Sequence, residues 1–448
     1  MIVRREIAGW GRWPRVYCAE TVPDRPDAAA AALAALPSAI PRGLGRSYGD
    51  AALNAAGVIS SRKLNRMIRF DAASGLLEAE AGVSLAEIIA AFLPRGFFPA
   101  VTPGTRFVTI GGAIAADVHG KNHHGEGSFA DHVAWFDLLC PDGKVRRCSA
   151  QSNAELFRAT PGAMGLTGMI VTAAVRLRPV ETGWITQRTI VAPDLDAAIS
   201  AFEANLDATY SVAWIDCLAS GAARGRSLVY LGEHATPGDL PPERRGRPFE
   251  TPPKTPRRVP FDAPGFALNR VSVGLFNRAY FRAGARKADP QLVDWATYFY
   301  PLDAILDWNR IYGPRGFAQY QCALPLATAR DGLGDLLDAI AASGLGSFLA
   351  VLKRFGPGAA DRPMSFPIEG YTLALDFPLR PASLRLMDRL DAITRAAGGR
   401  LYLAKDSRMT SETLRAGYGP ALDTFRALRD AQGTPPRMRS AQSARLGL

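Results

Sequence analysis

Apolar positions along the chain follow two registers. Leu85, Ile88, Ile89 and Phe92 recur at helical spacing and Pro94, Arg95 and Gly96 stop the pattern, which predicts a short amphipathic helix. The apolar runs at 133–140 and 168–177 are continuous and predict strands, the first closing on the turn Pro141-Asp142-Gly143. After Pro179 the two registers alternate. Helices are predicted at 194–206, 331–344 and 382–399, and strands at 210–219, 317–325, 347–356 and 371–379. The fold class this implies is α+β, with a second domain on a mostly antiparallel sheet carrying helices on one face. A proline- and arginine-rich stretch, 239–262, has little to bury, and a mobile loop is expected over 239–287.

Glycine punctuates the first third of the chain. Residues 41–50 read PRGLGRSYGD, and further glycine-rich stretches follow at 102–127 and 160–170. Consecutive backbone N–H groups in such turns form anion-binding concavities. Two of these loops bracket the helix around Ile88 and a third follows, so they are expected to converge on one large ligand. Gly43-x-Gly45-x-x-x-Gly49 is not the dinucleotide fingerprint, no long helix opens after it, and no P-loop occurs. This spacing argues against a nicotinamide-dependent dehydrogenase.

The chain has 448 residues, 48% of them hydrophobic, enough to bury the cores of two or three domains. Its net charge of +11 is carried mainly by arginine, with seven lysines. Two readings of that charge stay open: a solvated arginine-rich surface, or attraction to anionic lipid or a phosphorylated substrate. Without zinc-finger spacing or an aromatic RNA-binding motif, nucleic acid is not an expected partner. The five cysteines are scattered with no C-x-x-C, which points to a reducing compartment and against a disulfide framework or structural zinc. The longest apolar run, 28–35, is too short to span a bilayer, and the N-terminus lacks the pattern of a secretory signal. A cytoplasmic or peripherally membrane-associated protein is expected.

Several polar residues sit where apolar ones belong. Strand alternation places Lys353 on the face of Leu349, Val351 and Phe355, and Lys405 on that of Leu401 and Leu403. An ammonium on an apolar face is costly unless paired or neutral. In a chain that otherwise uses arginine, lysine suggests a point charge or a titratable amine, against the plainer alternative of snorkelling at a sheet edge. Gln319 and Gln321 share a strand face, as do Thr372 and Ala374, which suits sugar hydroxyls or an edge open to water. His119 and His123 are four apart, but Gly120 and Gly125 argue against a helix and no Glu follows His119, so no metal site is expected. Packing or turn-stabilising roles are expected for His123, His124 and His132.

The segments PRGLGRSYGDAALN, VTPGTRFVTIGGAIAADVHGKNHHGEGSF and PGAMGLTGMI resemble the FAD-binding domain of the vanillyl-alcohol oxidase/p-cresol methylhydroxylase (PCMH) superfamily. With YPLDAILDWNRIYGPRGFAQYQ, SFLAVLKRFGP, MSFPIEGYTLALDFP and GGRLYLAKDSRMT, nearly the whole chain is similar to the decaprenylphosphoryl-β-D-ribose 2′-oxidase family. That resemblance implies a two-domain fold with a discontinuous FAD-binding domain, 1–180 and 399–448, around a substrate domain at 181–398. It implies FAD bound by Arg42, Gly43, Leu44, Gly45, Arg46, Ser47 and Tyr48, by Pro103, Gly104, Thr105, Thr109, Ile110, Gly111 and Gly112, and by Ala116, Asp117, Val118, His119, Asn122, Ile170 and Tyr402. Arg46 stands where many superfamily members carry a flavin-linked histidine, so non-covalent FAD is expected. Lys405 is the expected base, with His119 the second candidate. Tyr48, Lys121, Gln319, Gln321, Lys353 and Thr372 would attend the sugar and its phosphate.

The implied reaction oxidises the 2′-hydroxyl of a polyprenylphosphoryl ribose to a ketone, which a separate NADH-dependent short-chain reductase then reduces to the arabinose epimer. Thr372, Ala374 and Phe299 depart from the Asn, Cys and Tyr expected of mycobacterial members, which loosens the substrate assignment. Oxidation of a soluble polyol or aldonolactone is the nearest alternative, and a surface-binding module with a degenerate flavin site is another. The segment 239–287 fits peripheral membrane contact, with Arg244, Arg245, Arg247, Lys254, Arg257 and Arg258 meeting headgroups and Phe261, Phe266, Leu275, Phe276 and Phe281 meeting the lipid surface, unless it is a solvated loop.

Overall fold

The computed structural model describes residues 2–264, 268–287, 290–433 and 437–448; Phe266 lies outside the described residues. Three sheets carry the site. The first joins Val3–Ala8, Arg15–Thr21, Val58–Ser60 and Ile40–Arg42 in that order. The second is antiparallel, running Met67–Asp71, Leu76–Glu80, Met169–Pro179, Val133–Leu139 and Val145–Ser149, with Phe97–Pro99 also paired to Met169–Pro179. The helix expected from Leu85 spans Leu85–Phe92, where Ser84 and Glu87 close a capping box and Gly96 takes a positive φ just beyond it.

The third sheet has eight strands in the order Gln291–Asp294, Trp184–Ala192, Ser227–His234, Tyr210–Ile215, Ala350–Phe355, Gly370–Pro378, Phe317–Pro325 and Arg400–Leu401. Its strand pairs are antiparallel. Alternation divides the two faces. Leu352, Leu373, Leu375, Tyr320 and Cys322 are buried in one core with Leu333, Leu336 and Leu337 of helix Leu326–Ser343 and Leu386 and Leu390 of helix Pro381–Ala396. The intervening residues of the same strands face the other way, toward the glycine loops. The fold is α+β.

Two local expectations change. The second half of the stretch expected to be mobile contains the 16-residue helix Arg270–Ala285, capped by Asn269. Its Val273 and Asn277 are buried one turn apart, and Asn277 donates to Asp216 at 2.7 Å, so tertiary anchoring outweighs a polar composition. The strand expected to reach Lys405 ends at Leu401, and residues 403–405 form a turn.

The C-terminal residues return to the first sheet. Met438 bridges Ala39, and Arg445 donates to both Asp50 and Asp406 at 2.8 Å, tying the first glycine loop to the turn that carries Lys405.

Candidate active site

A cavity of about 480 Å³ runs between the glycine loops and the eight-stranded sheet. On the first side it meets residues 43–48, 102–105, Thr109, Gly112, Ala116 and 118–121. On the other it meets Trp214, Gln321, Val351 and Ala374, one from each of four adjacent strands. These four are a single row: Gln321 pairs Ala374, Ala374 pairs Val351, and Val351 pairs Trp214. Residues two positions along, Gln319 and Lys353, line the same cavity because side chains alternate along a strand. Tyr402, Ala404 and Lys405 close it from the C-terminal turn.

Close backbone contact builds the loop side. Tyr48 N–H donates to the Ala404 carbonyl at 2.9 Å. A Cβ on Gly49 would stand 2.1 Å from the Asp406 carbonyl oxygen, so only glycine lets this loop lie on the Lys405 turn. Arg46 stacks 4.0 Å from the Trp10 ring centre and donates to the Phe107 carbonyl at 3.2 Å. The second loop is fastened by Asp303, whose carboxylate accepts from Thr105 Oγ1 at 2.7 Å and Arg106 N–H at 2.9 Å.

The loop side fits a dinucleotide. Among the described residues, the backbone N–H groups of Leu44, Gly45, Arg46 and Ser47 donate no hydrogen bond within the protein, although all four residues line the cavity. A run of unpaired donors is the concavity a pyrophosphate needs. Gly104 adds room, since a Cβ there would meet nothing within 4 Å. Among the described residues, no group of three or more His, Cys, Asp or Glu is placed to hold a metal ion.

Three lysines, a histidine and an aspartate converge at the sheet end. Lys353 Nζ lies 2.8 Å from His119 Nδ1, and Gln321 Nε2 lies 3.1 Å from His119 Nε2. Burial, then the charges of Lys405 and Lys121, lower the Lys353 amine to about 7. Burial and Lys353 hold His119 well below the ordinary imidazole range. Lys121 donates to the Tyr298 carbonyl and rests 4.0 Å from the Tyr298 ring centre, and burial lowers it to about 7. Lys405 Nζ sits 3.9 Å from the centre of the Tyr48 ring. Burial lowers the Lys405 amine while Asp376 opposes the shift; burial in turn raises the Asp376 carboxyl.

Asp376 was not among the sequence candidates. It faces Gln319 directly across the strand pair and accepts from Gln319 Nε2 at 2.6 Å and from the Tyr312 hydroxyl at 3.2 Å. The signal was present: Asp376 lies two residues beyond Ala374, on the same strand face.

The structure brings Gly43, Leu44, Gly45, Arg46, Ser47, Tyr48, Pro103, Gly104, Thr105, Thr109, Gly112, Ala116, Val118, His119, Lys121, Gln319, Gln321, Lys353, Tyr402 and Lys405 to one cavity. Seven other candidates stand behind that lining with partners of their own. Arg42 donates to the Ala8 carbonyl at 2.7 Å, Asn122 to the Ala100 carbonyl at 2.8 Å, and Asp117 accepts from Ser365 at 2.6 Å. Ile110 and Ile170 are core residues, and Gly111 packs on Ala81. Thr372 donates to the Cys322 carbonyl at 2.7 Å and accepts from Gln321 at 3.2 Å, so it acts on the cavity through Gln321. His123 packs on Phe355, and His124 and His132 bond the carbonyls of Ala208 and Glu126.

Residues 14–149 match the FAD binding domain family. Over 95% of its length the chain is 36% identical to decaprenylphosphoryl-β-D-ribose oxidase of Mycolicibacterium smegmatis, covering 94% of that protein. It is also 29% identical to L-gulonolactone oxidase of Mus musculus over 36% of this chain and 37% of the relative. The glycine-loop amides, the enclosed lysines and these likenesses converge: the chain is an FAD-dependent oxidoreductase and belongs to the decaprenylphosphoryl-β-D-ribose oxidase family.

Proposed function

We propose that this protein oxidises a secondary sugar alcohol to a ketone, its substrate being the 2′-hydroxyl of a polyprenylphosphoryl-β-D-ribose. The observation that carries the reading is one continuous cavity with unpaired loop amides at one side and Lys405, Lys353 and His119 at the other. Residues 1–180 with 399–448 form the FAD unit in this reading, and 181–398 form the substrate unit. Residues 43–48, 103–105, Thr109, Gly112, Ala116, Val118 and Tyr402 hold the cofactor without a covalent bond, since the Arg46 guanidinium is engaged by Trp10 and Phe107 and offers no imidazole. When bound, FAD supplies a two-electron acceptor for the hydride leaving the carbinol carbon.

Lys405 takes the hydroxyl proton. Its lowered basicity raises the fraction of free amine near neutral pH, and Asp376 compensates the charge it acquires. His119 is left to position, because both ring nitrogens already contact Lys353 and Gln321. Gln319, Gln321, Tyr48, the Lys353 amine and the cationic form of Lys121 orient the sugar and its phosphate. The ketone would pass to a separate NADH-dependent reductase, completing an epimerisation.

The anaerobic half-reaction tests this. Mixing the holoenzyme with polyprenylphosphoryl ribose is expected to bleach the flavin, and bleaching by free polyols or aldonolactones alone would replace this substrate with a soluble one. Acid precipitation is expected to release the yellow colour; colour kept in the pellet would contradict non-covalent binding.

A lipid-linked substrate calls for membrane contact, and no described helix is long and apolar enough to cross a bilayer. Much of the basic stretch first assigned to headgroups is engaged elsewhere: Arg247 pairs Glu250, Lys254 pairs Asp294 at 2.7 Å, and Arg258 pairs Asp307 at 2.6 Å. Arg244 stacks on Trp184. Peripheral contact is better served by the helix Arg270–Ala285.

A further inference from the structure

A second cavity, of about 320 Å³, lies against the helix Arg270–Ala285 and is lined by Asp216, Arg226, Arg270, Gly274 and Arg278, among others. We propose that it is a docking notch for the phosphate headgroup of an anionic bilayer lipid. The inference rests on the membrane contact proposed above and not on the oxidation.

Charge and shape carry it. Asp216 is already satisfied by Arg226 at 2.6 Å and Asn277 at 2.7 Å, which makes it a neutralised floor. Arg270 and Arg278 have no carboxylate partner among the described residues, so the notch holds two uncompensated guanidinium groups. They stand eight residues apart on one helix face with Gly274 midway. A Cβ at Gly274 would meet nothing within 4 Å, so the glycine leaves open the space between the two cations. The buried Asn277 and Val273 hold the helix in place behind it.

The adjoining face selects a lipid over a free anion. Val271 is 69% exposed and Leu275 62% exposed, and both follow the notch around the helix together with exposed Arg282. Apolar side chains interleaved with arginines suit a charged bilayer surface and give a free phosphate nothing. The opposite side of the helix carries Tyr280, which lines the main cavity beside Trp214 at a ring separation of 4.8 Å. One helix thus joins the headgroup notch to the wall of the substrate cavity.

Co-sedimentation of the holoenzyme with vesicles tests the proposal. Wild type is expected to pellet with phosphatidylcholine vesicles containing phosphatidylglycerol and to stay in solution with phosphatidylcholine alone. Arg270→Gln with Arg278→Gln is expected to weaken binding roughly 30-fold, about fivefold per charge. Arg69→Gln with Arg176→Gln removes the same charge from the second sheet and is expected to bind as wild type. Gly274→Gln keeps the charge, favours the helix and fills the notch, and is expected to weaken binding. Wild-type affinity in Gly274→Gln would overturn the notch while leaving membrane contact intact; wild type indifferent to both vesicles would overturn both. Inorganic phosphate raising the Tm of wild type but not of the double arginine variant, without vesicle binding, would overturn the lipid in favour of a free anion.

Discussion

Lys353 Nζ lies 2.8 Å from His119 Nδ1, and this contact fixes the charge of both groups. The Gln321 amide nitrogen faces His119 Nε2 at 3.1 Å and Thr372 Oγ1 at 3.2 Å, while the Thr372 hydroxyl donates to Cys322. In this arrangement His119 Nε2 accepts, so a neutral imidazole carries its proton on Nδ1 and donates it to Lys353. Lys353 can accept only as a free amine, which agrees with its lowering to about 7.

That state has a consequence for stability. Lys353 titrates near 7 in the folded protein and near its ordinary 10.5 when unfolded. Between those values the unfolded chain binds more protons, so stability rises with pH across the window, by at most about 1.4 kcal/mol per unit for this group. Below pH 7 both states are protonated and the burial cost is constant. Urea unfolding of the holoenzyme between pH 7 and 9 is expected to show this slope, reduced in Lys353→Met. An equal slope in the variant would mean that Lys353 stays charged when folded.

The charge of Asp376 should be visible in turnover. Asp376→Asn keeps a hydrogen-bonding group opposite Gln319 and removes the anion that raises Lys405. The Lys405 amine then loses its proton more readily. The acid limb of the pH profile for flavin reduction is expected to move to lower pH by about one unit, while Lys405→Met loses roughly 100- to 10,000-fold in rate. An acid limb that stays in place in Asp376→Asn would separate Asp376 from the proton transfer.

Gly49 tests how the loop sets the lysine. Its Cβ would approach the Asp406 carbonyl to 2.1 Å, and both contacting segments are backbone, so neither can step aside as a side chain would. Gly49→Ala is expected to cost about 1–3 kcal/mol in urea unfolding and to slow flavin reduction by displacing the Lys405 turn. Unchanged stability would show that the loop and the turn are not in close contact.

The sheet was legible because alternation is a strong local signal. Gln319, Gln321, Val351 and Lys353 read as one face each, and register then sets them side by side. The Lys405 turn was not, because Leu401 and Leu403 imitate strand alternation while Tyr48 and Asp406, distant in sequence, set the real geometry. The helix Arg270–Ala285 stayed hidden because its apolar residues do not keep to one stripe: Val273 and Tyr280 share the inner side, while Val271 and Leu275 stand exposed. The glycines marked a ligand loop, but Gly49 is demanded by a neighbouring segment, a distinction that only spatial proximity makes.

Arg445 ties these segments together from the far end of the chain. It donates to Asp50 Oδ1 and Asp406 Oδ2 at 2.8 Å each, and both carboxylates are buried, at 4% and 7% exposure. Burial raises the Asp50 carboxyl, and Arg445 opposes that shift. Arg445→Met would leave two carboxylates facing each other without a counter-charge, at a cost of about 3–5 kcal/mol at pH 7. The penalty belongs to the ionised forms. Without the arginine the folded pKa of Asp50, already raised by burial, rises further above its unfolded value, so lowering the pH protonates it and relieves the penalty. The gap in urea midpoint between wild type and Arg445→Met is therefore expected to narrow as pH falls from 7 toward 5. Arg445→Lys, which restores one charge but cannot reach both carboxylates with a fork, is expected to recover part of the loss. A gap independent of pH would assign the cost to lost packing of the C-terminal helix, and the tail would then act as a cover over the lysine turn without holding it electrostatically.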